Sequence, residues 1–459
     1  MDLRGRKSLV LGAGRSGVEA AKFLSDHGAV VALHDTLELE QWSEPARSLK
    51  ASHGIGLISG QLPSWLLDQI DLVVISPGVP TNSIPARYVD RKDGEVIGEV
   101  ELAYRFLKGR IVGITGSNGK TTTTTLIGKL LSEGGLQAQV GGNIGNPLLS
   151  LVPSSSDQGW TVVELSSFQL ETIKEFRANV ALCLNVTPNH LDRYDSFQDY
   201  AAAKYRIFFN QTADDVAILN ADDEITKTWS KGLRARVMWF SVRSELDEGF
   251  FLRGDKLINR SEGFETVLMT RENIPLKGTH NVENVLAALA AGFACGVSLD
   301  SMQEAVQNFT GVEHRMEFVT RIDGVNFYND SKATSVDATV KALSALEGES
   351  GKTVLILGGR GKKAPYDPLT GLIERSVRAL IVIGEDGDNI ASQLSGTAEI
   401  LRALTMDEAV KKAFEVAKPG DSVLLAPACA SFDMFRSFEE RGSVFKDAVA
   451  KLMSQAKVA

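Results

Sequence analysis

Short apolar runs that end in glycine-, proline- or hydroxyl-rich loops recur along the whole chain. They fall at residues 8–11, 29–33, 71–75, 110–114, 160–164, 178–184, 216–219, 353–357, 379–383 and 422–426. Segments with helical spacing separate many of them, among them residues 18–27, 121–131 and the alanine-rich stretch that ends at Ala291. Continuous apolar runs mark strands buried on both faces, and strand–helix alternation predicts parallel sheets covered by helices. In such sheets ligands bind beyond the carboxyl ends of the strands. The 459 residues correspond to about three domains at a typical domain size. The predicted fold class is α/β with three domains: Rossmann-like over 1–97, P-loop ATPase-like over 98–309 and Rossmann-like over 310–459.

The loop after the run at 110–114 carries the strongest chemistry. Gly116-Ser117-Asn118-Gly119-Lys120-Thr121-Thr122 joins a buried strand to a helix. Glycines let backbone N–H groups approach phosphate oxygens, and the helix N-terminus adds positive potential. Lys120 can reach terminal phosphates and the Thr121 hydroxyl can hold Mg²⁺. Ile114 stands where the full P-loop pattern has glycine, so the match is to the shorter Gly-x-x-Gly-Lys-Thr. Glu164, at the end of the run 160–164, is placed to hold the same metal; Glu164-Leu-Ser-Ser-Phe-Gln169 can equally begin a helix.

Near the N-terminus, Gly12-Ala-Gly14-Arg-Ser16-Gly17 lies between strand and helix, and Asp35 ends the next strand. This dinucleotide fingerprint offers a diphosphate seat and a ribose acceptor without distinguishing NAD from another nucleotide diphosphate. The Ser76-Pro-Gly78-Val-Pro loop lies at a third strand end. His190, His280 and His314 sit in polar clusters, in a chain with only six histidines. Lys204 reads from spacing alone as an ordinary solvated lysine. Asn281 and Asn284 share a helical face suited to a nucleotide, with N-capping by Thr279 or Asn281 as the structural alternative. In the last third, Asp330 can accept ribose hydroxyls, and Arg315 or Lys332 can face phosphates. Lys362 lies in a glycine loop and Ser431 at another strand end; taken singly, such a lysine reads as solvated.

Composition narrows the function classes. A formal net charge of −9 argues against sequence-independent nucleic-acid binding, so phosphate affinity must come from local donors. Cys183, Cys295 and Cys429 show neither pairing nor metal spacing, which fits a reducing cytoplasm. No apolar run is long enough to span a bilayer, and the N-terminus lacks a signal-peptide layout. The expected protein is cytoplasmic and monomeric, with no nucleic-acid or membrane partner.

Taken together, the motifs resemble the Mur ligase family of peptidoglycan synthesis over nearly the whole chain. The resemblance rests on the Gly116 loop, Glu164-Leu-Ser-Ser-Phe-Gln169, Asn185-Val-Thr-Pro-Asn-His190-Leu-Asp192, His280-Asn281, His314-Arg315, Asp330-Ser-Lys-Ala-Thr334 and Ser431. It implies ATP-dependent amide-bond formation through an acyl phosphate, with two Mg²⁺ ions and a carbamylated Lys204. It also implies Lys120, His190 and Lys204 as catalytic, with Thr121, Glu164, His190 and Lys204 around the metals. Asn281, Arg315 and Asp330 would join the Gly116–Thr122 loop on ATP. Gly14, Ser16, Asp35, Thr36, Ser76, Gly78 and Asn143 would line a UDP-sugar path. The Gly358-Gly-Arg-Gly-Lys362 and Ala428-Cys-Ala-Ser431 loops look like those of the member that adds D-glutamate to UDP-N-acetylmuramoyl-L-alanine, with Thr334, Lys362, Ser431 and Phe438 as the glutamate contacts. Leu37 departs from the arginine that some members carry there. A ligase of the same family with another amino acid, a folylpolyglutamate synthase, an NAD-dependent dehydrogenase and a non-catalytic nucleotide switch are the competing readings.

Overall fold

A computed structural model describes residues 1–63, 65–84, 94–188, 193–276, 278–347, 351–361 and 364–456. The chain forms two compact units, the first built from residues 1–274 and 279–309, the second from 275–278 and 310–459.

The first unit holds two sheets. In one, β1 (Lys7–Leu11), β2 (Val30–Asp35), β3 (Gly56–Ser59), β4 (Leu72–Ile75) and β5 (Glu95–Gly98) run parallel in the order β3-β2-β1-β4-β5. β1 therefore lies where the strand order reverses, and the Gly12–Gly17 loop leaves its carboxyl end. The other sheet has nine strands: β6 (Arg110–Thr115), β7 (Ala138–Gly142), β8 (Trp160–Glu164), β9 (Val180–Cys183), β10 (Val216–Asn220), β11 (Arg236–Ser241), β12 (Gly249–Arg253), β13 (Lys256–Ser261) and β14 (Phe264–Thr270). Their order is β14-β13-β12-β11-β10-β9-β6-β8-β7. The apolar runs locate β6 and β8–β10 to within a few residues. They miss β11 to β14. β13 pairs antiparallel with both neighbours at one edge, and polar positions such as Asn259 and Arg260 interrupt its apolar run.

β6 is flanked by β8 and β9, and all of it after Arg110 is buried. The helix Lys120–Glu133 follows it and packs on the helix Thr279–Ala294. The first contributes Leu126, Ile127, Leu130 and Leu131 to the core, the second an alanine-rich surface that admits close approach. Each buried leucine is worth about 1.5–3 kcal/mol, so this pair anchors the loop between β6 and its helix.

The second unit is one sheet of β15 (Glu317–Ile322), β16 (Val325–Asn329), β17 (Thr353–Gly358), β18 (Val377–Ile383), β19 (Glu399–Arg402) and β20 (Ser422–Leu425). The order is β15-β16-β20-β17-β18-β19, parallel except for β15. Among the described residues no helix is long and apolar enough to cross a membrane.

Two glycines of the first fingerprint answer to different constraints. A Cβ on Gly17 would run into the Gly12 carbonyl and the Ser76 hydroxyl, whereas one on Gly14 would meet no atom within 4 Å. Gly17→Ala should destabilise the first unit by about 1–3 kcal/mol through overpacking. Gly14→Ala should cost less, about 0.5 kcal/mol, the margin of glycine over alanine at the N-cap position that it holds. Chemical denaturation of the two variants checks this; equal losses would contradict it.

Candidate active site

β6 ends at Thr115, whose hydroxyl donates to the Leu165 carbonyl at 2.9 Å. The chain then turns through Gly116 at φ 151° and Gly119 at φ 81°, conformations that favour glycine. A Cβ on Gly119 would also strike the Asn284 side chain. The Ser117 hydroxyl donates to the Thr187 carbonyl at 2.9 Å and lies 3.0 Å from the Tyr200 hydroxyl. The Asn118 N–H donates to Asn185 Oδ1 at 2.8 Å. The chain leaving β9 thus holds the loop from one side. Lys120 folds back over it, its Nζ donating to the carbonyls of Gly116 and Ser117 at 2.9 and 3.1 Å. Thr121 and Thr122 stand half-buried in the first turn of the helix.

Glu164 lies opposite Ile114 in the sheet, at the end of β8. It closes the strand; the short helix begins only at Ser167, capped by the Ser166 hydroxyl. The Glu164 carboxylate is 2 % exposed. One oxygen accepts from Asn143 Nδ2 at 2.7 Å, and the other has no hydrogen-bond partner among the described residues. A buried carboxylate oxygen without a donor fits a cation beside the phosphate cradle. Among the described residues no three His, Cys, Asp or Glu side chains gather for a metal. An ion held there would therefore complete its shell with Thr121, phosphate oxygens and water, as Mg²⁺ does in phosphoryl-transfer sites.

Lys204 is not the solvated lysine that its spacing suggested. It sits on the helix Phe197–Tyr205, 2 % exposed, and its Nζ donates to the Gly116 carbonyl at 2.8 Å. Lys120 and Lys204 therefore share one acceptor. Burial, and then the positive charge of Lys120, push the Lys204 pKa down to about 7. His190, expected beside this cradle, lies outside the described residues. Asn281 lies inside the helix Thr279–Ala294 and not at its cap, and its Oδ1 accepts from Asn284 Nδ2 at 3.2 Å. Asn284 touching Gly119 carries this pair to the loop.

At the first sheet the fingerprint loop is braced from within. Asp35 accepts the Ala13 N–H at 2.8 Å and the Leu37 N–H at 3.0 Å. The buried Ser76 hydroxyl donates to the Gly12 carbonyl at 3.1 Å. Gly14, Thr36 and Gly78 are exposed around these braces, with Ser16 half-buried. Arg193, which sequence reasoning missed, ties the Ser76–Pro80 loop down: its guanidinium donates to the Pro77 and Val79 carbonyls at 2.9 and 3.3 Å and stacks over Phe168.

In the second unit the strand-end loops of β16, β17 and β20 meet. The Asp330 N–H donates to the Leu425 carbonyl at 2.8 Å, and Ala428 N–H to that of Ala333 at 2.9 Å. Arg360 and Ala430 exchange backbone hydrogen bonds. These links gather Asp330, Thr334 and the buried Ser431. Burial raises the Asp330 pKa to about 6, against the opposing pull of Arg315. His314 adopts φ 63°, and its Nδ1 lies 2.9 Å from Asn329 Nδ2. An amide NH₂ only donates, so that ring nitrogen accepts and His314 braces the turn into Arg315. The Phe438 ring faces the Lys332 ammonium at 4.0 Å. Lys362 lies outside the described residues. Asn329 and Arg441 also escaped the sequence reading. Arg441 was detectable, because it falls in register with the apolar stripe of Phe445, Ala448, Val449 and Leu452.

Comparison with known proteins covers the same segments. Residues 6–98 match the Mur ligase MurD-like N-terminal domain, 114–292 the Mur ligase middle domain and 314–429 the Mur ligase glutamate ligase domain. A UDP-N-acetylmuramoylalanine–D-glutamate ligase of Solibacter usitatus is 49% identical over 98% of both chains. One of Koribacter versatilis is 46% identical over 100% of both. Among solved structures, a UDP-N-acetylmuramate–alanine ligase from Thermotoga maritima aligns at TM-score 0.58 and 20% identity, covering 98% of this chain and 99% of that one. The UDP-N-acetylmuramoylalanyl-D-glutamyl-2,6-diaminopimelate–D-alanyl-D-alanyl ligase from Acinetobacter baumannii aligns at TM-score 0.57 and 16% identity, covering 97% and 93%. These structural likenesses concern the fold.

The buried lysine sets a pH dependence. Unfolded, Lys204 keeps its proton up to its ordinary pKa of 10.5; folded, it releases it near 7. Between those values the unfolded chain binds more protons, so stability rises with pH across this window and the penalty is fully present below it. Lys204→Met should abolish that part of the rise. Urea midpoints in metal-free, CO₂-depleted buffer from about pH 7 to about pH 10 check it; a variant that climbs as steeply as the parent contradicts it.

Proposed function

This chain belongs to the Mur ligase family, and from that premise we propose that it joins D-glutamate to UDP-N-acetylmuramoyl-L-alanine at the expense of ATP, in peptidoglycan precursor synthesis. The observation that carries the reading is the Gly116 loop, with Lys120 and Lys204 on one carbonyl and, close by, a Glu164 oxygen that has no hydrogen-bond partner among the described residues. Full-length relatives named for that reaction support the choice of substrates.

We assign residues 1–97 to the UDP-sugar, 98–309 to ATP and 310–459 to the amino acid. Gly14, Ser16, Asp35, Thr36, Ser76 and Gly78 seat the nucleotide diphosphate and ribose, while Asn143, bound to Glu164, belongs near the reacting carboxylate. A carboxylate oxygen of the sugar-borne alanine attacks the γ-phosphorus, and ADP leaves. The neutral amine of D-glutamate then attacks the acyl carbon, and the tetrahedral adduct expels phosphate. The first step brings two anions together, and it is slow unless positive charge is already in place. Lys120 supplies that charge from the loop. Thr121 and Glu164 would hold Mg²⁺, with His190 assigned to a second ion; bound there, the metal neutralises phosphate oxygens. Asn281 with Arg315 and Asp330 completes the ATP contacts, and Thr334, Lys362, Ser431 and Phe438 the glutamate pocket.

The low proton affinity of Lys204 leaves a neutral amine available near pH 7, the form that reacts with CO₂. Carbamylation replaces a cation beside the metals with an anion. Lys204→Ala should lose nearly all turnover and recover part of it with added short carboxylates. Full activity of Lys204→Ala in CO₂-depleted buffer would contradict the carbamate.

The function itself is tested by phosphate release. Release from ATP should need Mg²⁺, UDP-N-acetylmuramoyl-L-alanine and D-glutamate together, and L-glutamate should not substitute. The product should carry an amide between the alanine carboxyl and the amine of D-glutamate, with no NAD turnover under any condition. Release that ignores D-glutamate, or ligation of a different amino acid in its place, rules the assignment out.

A further inference from the structure

Arg441 is a buried cation in an unfavourable place. Its side chain is among the largest that are fully buried, at 1 % exposure. It lies in the first turn of the 19-residue helix Phe438–Ala456, where the helix dipole disfavours positive charge. Among the described residues no carboxylate forms an ion pair with it. Glu440 holds Arg436 at 2.8 Å, while Asp433, which acts on Arg441 at longer range, accepts the Glu385 N–H at 2.9 Å with one oxygen, and its other, buried oxygen has no hydrogen-bond partner among the described residues. The Cys429 thiol beside it is held neutral, its pKa pushed up by burial to about 11.

All the hydrogen bonds described for the guanidinium go to neutral groups. Nε donates to the Ser331 hydroxyl at 2.9 Å, Nη2 to the Ser331 carbonyl at 2.9 Å and Nη1 to the Cys429 carbonyl at 3.1 Å. The Ser331 hydroxyl in turn donates a hydrogen bond to the Phe438 carbonyl at 2.8 Å. A Cβ on Gly359 would come within 3.2 Å of Nη1. One side chain thus bonds the loops leaving β16 and β20 and packs against the loop leaving β17. These loops carry Thr334, Ser431 and the glycine run before Lys362. A charge desolvated in this way is disfavoured unless an anion offsets it. The protein supplies that anion incompletely, and the ligand assigned to these loops brings two carboxylates.

We propose that Arg441 is a specificity-determining positioning residue, which fixes these three loops and places an incompletely neutralised positive charge beneath them that favours an acceptor with an anionic side chain over its neutral amide. The inference rests on the D-glutamate reading above. D-glutamine, isosteric and uncharged at that end, is the matching probe.

The test compares D-glutamate with D-glutamine, as substrate or as competitive inhibitor where it does not turn over, in the full chain with ATP, Mg²⁺ and UDP-N-acetylmuramoyl-L-alanine. In Arg441→Gln the preference for D-glutamate should fall at least about tenfold, through its Michaelis constant, while the constants for ATP and the UDP-sugar stay within about threefold. Arg441→Lys, which keeps the charge and loses the fork, should hold the preference within about threefold of the parent. Equal losses for both amino acids in Arg441→Gln would make the residue a structural brace and overturn the proposal. Where Arg441→Gln does not fold, as judged by its thermal melt, Arg441→Lys decides: a retained preference supports the charge and a collapsed one overturns it. A parent enzyme with no D-glutamate-dependent phosphate release fails the functional reading itself, and the inference falls with it. A parent that uses D-glutamate without preferring it over D-glutamine overturns the inference alone.

Discussion

One carbonyl oxygen organises the first unit. Gly116 O accepts from Lys120 at 2.9 Å and from Lys204 at 2.8 Å, so two amines converge on the backbone of the phosphate loop. The arrangement is self-limiting, since each ammonium disfavours the other, and burial makes Lys204 the one that yields its proton. The loop can form only because Gly116 and Gly119 take backbone conformations closed to most residues. It stays in place because Ser117, Asn118 and Asn284 are held from the β9 exit and the alanine-rich helix. The chain as a whole is acidic, with a net charge of −9.

The second unit reaches a comparable result by different means. Its buried cation, Arg441, rests on carbonyl and hydroxyl oxygens, ties two strand ends together and lies against a third. Ala428 and His314, both at positive φ, mark where the chain is bent to bring those ends into register. Non-glycine residues hold such conformations only where surrounding contacts over-determine them, and His314 has that support from Asn329 and Glu317. In both units, then, a basic side chain is buried at strand ends against neutral acceptors.

Much of this was legible in the chain itself. Uninterrupted apolar runs locate the central parallel strands, because strands buried on both faces tolerate few polar positions. The glycine spacing of 12–17 and 116–121 identifies two strand–helix turns, since close backbone approach excludes a Cβ there, as the Gly12 carbonyl does at Gly17. Glu164 could be read as a strand-end acid from its place after Trp160–Val163. These features depend on neighbours in sequence, and the resemblance to a ligase family rested on them.

Other features were decided only by the tertiary structure. Nothing within a turn of Lys204 in the sequence distinguishes it from a surface lysine; its burial comes from packing its helix against a loop 88 residues away. The antiparallel strands β13 and β14 carry polar positions such as Asn259, Arg260 and Glu265, so their pairing appears only once the sheet is assembled. Arg193 and Arg441 act on backbone carbonyls remote in the chain, and an acceptor of that kind leaves no mark on residue identity. The chain by itself determined which strands and turns form, because those depend on local periodicity and backbone freedom. The lowered proton affinity of Lys204, the buried carboxylate of Glu164 and the buried guanidinium of Arg441 are properties of desolvation, and desolvation exists only after distant segments have closed over a charge.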